Sequence, residues 1–441
     1  VAGGPPPQEQ IDATLAWVTA ELARYYAESP PPLPSRFMRR EFGFIPAPRP
    51  APERTPFFRH IGIRSAADFR AHLARGPWHC YYSTAYYDKP DAHTMAEKTW
   101  RGADLIFDLD ADHLPNADKL SYEEQLREVH AQAKKLLRKF LLGDFGFDPE
   151  HVHIVFSGGR GYHFHVTDPR VWKLESSERR EIVDYLSPNE QVAEWLFEHW
   201  AVERSVTRDG FGRLSKEKYV PPSTAPGWMG RLTRGIIDYL DELAQMPRPA
   251  AMMELQSHKG IGEATAARLL DWATPEKIKL LRTGKSDAIQ LNDPFNVVNR
   301  SRHDQILSER IFLPPALQRQ AVVDFLIEKA KVKTEGETDE PVTADIKRLI
   351  RLPGSLHGKT GLRVTPMGID EFERFDPLRD AVALSDEPVS VVVSKPADVN
   401  LKGVGRSIVP GEQELPLHVA MFLVLRRGAL RPLPSAPRAA P

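Results

Sequence analysis

Strand-like segments of this 441-residue chain fall toward its two ends, and the long block between them has the spacing of helices. Ala103-Asp-Leu-Ile-Phe-Asp-Leu-Asp110 and His151-Val-His-Ile-Val-Phe-Ser157 are short apolar runs bounded by acidic or glycine-rich residues, the pattern of buried strands. A third strand is expected up to Val166, and Val389-Ser-Val-Val-Val393 reads as another. Residues 175–335 are largely helical by pattern. A sheet-forming region that stops and later resumes implies one core interrupted by an insertion. The expected class is α+β. A mixed-sheet core is expected from 1–174 and 336–410, with a mostly helical insertion at 175–335. Residues 411–430 form a strand region packing on the core. Residues 431–441, with four prolines among eleven residues, form a disordered tail.

Ile11, Leu15, Val18, Leu22 and Tyr25 recur at steps of three and four, so 8–28 is an amphipathic helix. Pro30, Pro31, Pro32 and Pro34 end it, and Arg39-Arg-Glu-Phe-Gly-Phe44 beyond them fits a short strand. The aromatic stretch 78–88 is expected to be extended. Tyr122 to Leu142 is helical, and its Lys134, Lys135, Arg138 and Lys139 read as a solvated face. Val419-Ala-Met-Phe-Leu-Val-Leu425 is the longest apolar run; it falls far short of the ~20 residues that span a bilayer and reads as a buried strand.

Lys plus Arg number 59 against 60 acids. A chain of this balance that handles nucleic acid must concentrate its positive charge in a groove. The single cysteine, Cys80, excludes an internal disulfide and a Cys-rich zinc site. The first residues lack the regions of a secretory signal, so a cytoplasmic location is expected and no membrane partner.

Three segments carry chemistry. Asp108 and Asp110 stand two apart at a strand end and so face the same way, roughly 6.5–7 Å apart. Carboxylates so placed repel unless a cation sits between them, and their oxygens suit Mg²⁺ or Mn²⁺. A lone D-x-D is more often a solvated turn, and Asp112 and His113 read as loop. Ser157-Gly-Gly-Arg-Gly-Tyr-His163 follows an apolar strand. Its glycines permit an anion-binding nest of backbone N–H groups, and Arg160 offers a planar fork for phosphate. His163 is able to point at the same phosphates; a hairpin with a satisfied histidine is the alternative. Finally, Lys347 to Lys359 is a basic cluster able to hold a triphosphate, or else a basic helix followed by a turn.

In their order along the chain, Arg40-Glu-Phe-Gly-Phe44, Tyr81-Tyr-Ser-Thr-Ala-Tyr-Tyr87, Asp108-Leu-Asp110, Ser157 to His163 and Arg351-Leu-Pro-Gly-Ser-Leu-His-Gly358 resemble the small catalytic subunit of archaeal and eukaryotic DNA primases. The resemblance implies template-directed synthesis of short primers from nucleoside triphosphates, with release of pyrophosphate. It makes Asp108, Asp110 and Asp339 ligands of two Mg²⁺ or Mn²⁺ ions; Asp345 is a rival for the third place, and the family's interval to the motif histidine favours Asp339. It makes Ser157, Gly159, Arg160, His163, Arg351 and His357 binders of the nucleotide's phosphates, with Glu41 and Arg59 lining the same pocket. It also implies a primase large subunit as partner, a single-stranded DNA template and a place in the nucleoid. Many relatives carry a Cys/His zinc knuckle after the acidic pair. Here that stretch has no cysteine, so no structural zinc is expected.

Within the insertion, Leu255 to Leu270 resembles a helix-hairpin-helix element. Its Gly260-Ile-Gly262 turn would aim N–H groups at a template phosphate, with Ala264, Ala267, Leu269 and Leu270 packing the second helix. A plain helix–turn–helix corner is the alternative. Two rival functions remain. A primase-polymerase of end-joining or damage bypass shares the acidic pair and the histidine strand, but Arg351 to Gly358 and the insertion favour the replicative subunit. A non-catalytic template-binding subunit would have no need of three acids.

Overall fold

The structure, a computed structural model, describes residues 7–49, 53–114, 117–186, 202–208, 211–217, 219–220, 223–283, 311–312, 317, 320–334, 338–426 and 428–432. The chain divides into two compact units, one of residues 1–183 with 337–441 and the other of residues 184–336.

In the first unit, helix α1 (Gln8–Glu28) turns Thr14, Val18, Leu22, Tyr25 and Tyr26 inward, as its three–four spacing dictates. Ser29 N–H closes the helix on Tyr25 O at 2.7 Å, and the prolines that follow cannot extend it. Then come β1 (Glu41–Ile45), β2 (Phe58–Gly62), α2 (Ala66–Leu73) and β3 (His79–Ser83). The chain continues through β4 (Ala85–Tyr87), β5 (Trp100–Ala103), β6 (Leu105–Asp110), α3 (Tyr122–Lys135), β7 (Val152–Phe156) and β8 (Gly161–Val166).

One sheet has the order Leu349–Arg351, β3, β1, β2, and a second has Thr365–Met367, β7, β8, β6. Every pairing within them is antiparallel. β8 is covered on both faces and buried at all six residues, which is why it reads as apolar and histidine rather than alternating. A capping box fixes the start of α3. Ser121 Oγ accepts from Glu124 N–H, and a Glu124 carboxylate oxygen accepts from Ser121 N–H at 2.8 Å. The helix then widens into a π-helix, Leu136–Asp144. Lys134 and Arg138 both pair with Glu373.

The run Val419–Leu425 corrects the reading above. It lies in a helix, Leu417–Leu425, with all nine residues buried, beside the strand Pro388–Val393 and its neighbours Gly411–Pro416 and Ala429–Leu430. An element apolar on every side has no period, so helix and strand give the same sequence signal. The expected tail lies, from residue 433 onward, outside the described residues.

The second unit contains the helices Gly227–Gln245, Arg248–Gln256, Glu263–Trp272, Pro275–Thr283 and Gln320–Thr334. Among the described residues it also contains two antiparallel pairs, Val202–Arg208 with Phe211–Glu217 and Tyr219–Val220 with Ile311–Phe312, where the sequence pattern implies helix. The signal for the first pair was present in the sequence: Asp209-Gly210 is a strong hairpin dipeptide. Among the described residues no helix is long and apolar enough to cross a membrane.

Candidate active site

Strand pairing builds the site. β6 lies beside β8 with Asp108 opposite His163 and Asp110 opposite Gly161. Gly161 permits this approach, since a Cβ there would stand 2.2 Å from Leu109 O. His163 Nε2 comes to 3.5 Å from an Asp108 carboxylate oxygen. Asp339 arrives from more than two hundred residues away. Its N–H donates to Asp108 O at 2.8 Å, and Thr338 Oγ1 lies 3.3 Å from the same carbonyl. Burial, then the Asp110 and Asp339 carboxylates, push the Asp108 carboxyl up to about 7 against the pull of Arg348 and Arg351. Among the described residues no three of His, Cys, Asp and Glu are gathered tightly enough to enclose a metal ion. The three aspartates are thus neighbours in electrostatics and backbone but not a closed cage. A buried carboxyl raised further by two other carboxylates is nevertheless a setting that a divalent cation relieves, and all-oxygen donors fit Mg²⁺ or Mn²⁺.

The glycine loop lies beside the acids. Ser157 Oγ accepts from Gly159 N–H and Gly161 N–H, each at 3.2 Å, and so shapes the loop. Gly158 has φ +76°, and a Cβ on it would lie 2.8 Å from His357 Cβ, so only glycine fits. Tyr122 OH donates to Gly159 O at 2.6 Å. Arg160 is paired with Asp112 at 2.6 Å and stands 3.5 Å from Asp110. Asp112, expected from the sequence to be loop, therefore holds the guanidinium expected to bind phosphate.

The third wall comes from the basic cluster. Arg351 ends the strand next to β3 and donates from Nη1 to His79 Nδ1 at 2.9 Å, with its guanidinium 5.3 Å over the Tyr81 ring. Burial, then Arg351 and Lys359, hold His79 neutral, its pKa lowered to about 3. His357 is buried, and burial followed by the Arg351 cation lowers its pKa well below the ordinary value. Its Nδ1 accepts from Lys359 N–H at 3.3 Å, which assigns the ring proton to Nε2. That nitrogen faces Gly159, where a Cβ would be 3.2 Å away. Helix α1 steadies this segment: Tyr25 OH donates to Gly354 O at 3.1 Å, and Leu356 N–H donates to Tyr26 OH at 3.3 Å.

These elements border a cleft of about 840 Å³ lined by, among others, Asp110, Asp112, Gly159, Arg160, Arg351 and His357. His79, Tyr122, Lys359 and Arg426 line it as well. Of these four, only Lys359 belongs to a segment that the sequence marks as phosphate-binding, the basic cluster Lys347 to Lys359. Only the cationic side chains were open to a charge argument from sequence. The other expected residues lie elsewhere. Ser157 and His163 are buried behind the lining. Glu41 and Arg59 do not line this cleft. Glu41 is fully buried, with one oxygen accepting from Arg59 Nε and His60 N–H at 3.1 Å and the other from Lys98 Nζ at 2.8 Å. Lys98, also fully buried, was not singled out, because nothing in sequence marks a lysine as the partner of a glutamate 57 residues away. Cys80 is buried beside Tyr26 OH, and burial pushes its thiol up to about 12.

In the second unit, Gly260 (φ +96°) and Gly262, the N-cap of Glu263–Trp272, form the turn after Arg248–Gln256. The face of that second helix turned inward is Thr265, Ala266 and Leu269, while Ala264 is exposed and Ala267 and Leu270 are half-buried. Ile261 in the turn itself is also buried.

A family profile described as DNA primase small subunit matches residues 107–369. The chain belongs to the DNA primase small subunit family. Its similarity extends well past that span. The DNA primase small subunit PriS of Methanococcoides burtonii is 38% identical over 94% of this chain and 98% of its own length. That of Methanosarcina acetivorans is 39% identical over 94% and 95%. That of Haloarcula marismortui is 35% identical over 94% and 97%. The family profile begins at Phe107, inside β6, and so spans the acidic pair, the glycine loop and the Arg351–Gly358 segment.

Proposed function

We propose that this chain is the catalytic small subunit of a DNA primase, joining nucleotides on a single-stranded DNA template. The 3′-OH of one bound nucleotide attacks the α-phosphate of a second, forming a P–O bond and expelling pyrophosphate. The observation that carries the reading is the hydrogen bond from Asp339 to Asp108 beside a cleft bordered by the glycine loop, Arg351 and His357.

Asp108, Asp110 and Asp339 would hold two Mg²⁺ or Mn²⁺ ions, which when bound polarise the attacking hydroxyl and offset charge on the leaving oxygen. The remaining work belongs to the chain. Arg351 and the His357 Nε2–H grip triphosphate oxygens, and neutrality of His357 makes that nitrogen a fixed donor rather than a titrating one. Gly159 lies in the same wall, its N–H taken by Ser157 Oγ, so it contributes the shape of the loop. Arg160 Nη2 is held by Asp112, so an incoming anion shares or competes for the guanidinium with a carboxylate. His163 backs Asp108 from beneath. Such chemistry is mostly positioning and charge stabilisation.

The name of the relatives, a small subunit, implies a large-subunit partner for this chain too, acting on DNA in the nucleoid. The turn at Gly260 and Gly262 would add weak contact with the template backbone; an unchanged salt slope of template binding after bulkier substitutions there excludes it. The deciding test is metal-dependent nucleotide incorporation on single-stranded DNA. Asp110→Asn is expected to lose at least about 10³-fold in rate, or about 4 kcal/mol of barrier. Near-normal incorporation by that variant would refute the assignment.

A further inference from the structure

Arg426 ends the helix Leu417–Leu425 and lines the cleft. Its guanidinium lies 4.4 Å over the ring of Tyr122 and 5.2 Å over that of Phe422. Among the described residues it has no acidic partner, whereas Arg160 in the same cleft is matched by Asp112 and Asp110. Stacking fixes the plane of a guanidinium and leaves its N–H edge free to bind an anion.

The platform beneath it is rigid. Tyr122 is the first residue of α3, set by the Ser121–Glu124 capping box. Its hydroxyl donates to Gly159 O, so ring, cation and glycine loop are mechanically one piece. Gly159 is thereby held from two directions, by Tyr122 at its carbonyl and by Ser157 Oγ at its N–H. Arg351, His357 and Lys359 all belong to one segment. Arg426 supplies positive charge from a separate element, on the Tyr122 side.

Nucleotidyl transfer brings more phosphate to this cleft than one triphosphate, because an acceptor nucleotide and a template must be present together. We propose that Arg426, seated on Tyr122, is a second phosphate-holding position of the cleft. This rests on the primase reading above, and the phosphate it takes belongs either to a nucleotide or to the template backbone.

Arg426→Gln and Arg426→Lys would be measured in two assays. One is the nucleotide KM for extending a pre-annealed primer at saturating template. The other is single-stranded DNA affinity against salt, without nucleotide. Losing one charge-assisted hydrogen bond is expected to weaken one of the two by roughly tenfold or more in Arg426→Gln. A shift in KM alone assigns the nucleotide, whereas weaker template binding with a salt slope reduced by about 0.7 assigns the template. Arg426→Lys, which keeps the charge but loses the planar fork, should fall between wild type and Arg426→Gln. If Arg426→Gln does not fold, as judged by circular dichroism, a several-fold loss in Arg426→Lys carries the test. Wild-type values for the folded variants in both assays would overturn the proposal. Failure of the wild-type chain to incorporate nucleotides would instead sink the primase reading, and the template assay would still report on Arg426.

Discussion

Replacing Lys98 with Met removes the ammonium that faces Glu41 and leaves a fully buried carboxylate with Arg59 Nε and one backbone N–H as donors. It also strips Pro90 O of the Lys98 donor at 2.6 Å. Breaking a buried pair from one side costs about 3–5 kcal/mol, against a typical total stability of about 5–15 kcal/mol. Adding Glu41→Gln on top removes the orphaned charge and should recover about 2–3 kcal/mol of that loss. The assay is a double-mutant cycle by urea denaturation, followed by far-UV circular dichroism. Acid gives a second readout. Burial would raise the Glu41 carboxyl, but Lys98, His60 N–H and Arg59 outweigh it and hold it below the ordinary 4.5. A depressed carboxyl contributes its stability above that ordinary value and loses it as pH falls through the folded one, so wild type and Glu41→Gln should converge in acid. A Lys98→Met cost under about 1 kcal/mol would refute the reasoning. So would a Glu41→Gln protein of wild-type stability with a raised nucleotide KM, because it would return Glu41 to the nucleotide pocket.

His165 is buried, and burial followed by His163 lowers its pKa to about 3. The unfolded chain therefore binds one more proton here between about pH 3 and 6.5, so stability rises with pH across that window and is complete above it. His165→Leu should flatten the stability–pH slope by up to about 1.4 kcal/mol per unit in denaturation series between pH 4 and 6. An unchanged slope would show that the imidazole is already charged in the fold. Asp112→Asn frees Arg160 from its 2.6 Å partner at an exposed site. Stability should change by less than about 1 kcal/mol, while the nucleotide KM falls several-fold in steady-state kinetics; a raised KM would mean that Asp112 orients Arg160 productively.

Local pattern made much of the core legible. The spacing of α1, the paired aspartates at the end of β6 and the glycine loop before β8 follow from periods of three to four and of two. The Leu417–Leu425 helix was illegible because an all-apolar run has no period. Glu41 shows a different limit. Its motif marks it as a chemical residue, but whether a carboxylate faces ligand or lysine depends on Lys98, which only the folded chain brings near. Arg160 shows a third: sequence marks a guanidinium suited to phosphate, and only geometry shows that a neighbouring acid pairs with it. Tyr122 and Arg426 lie some three hundred residues apart and join through a stacking contact that leaves no trace in composition.

Helix α1 has a role beyond covering a sheet. Its tyrosines clasp the Gly354–Leu356 turn, while Thr14 Oγ1 and the Gln10 amide grip the backbone of Arg431. The turn that presents His357 is thus guyed from a helix hundreds of residues upstream in the chain. Under the proposed function, damage at that distant anchor would register at the bench as a slackened hold on substrate, and a survey of inactive variants would mistake scaffold for machinery.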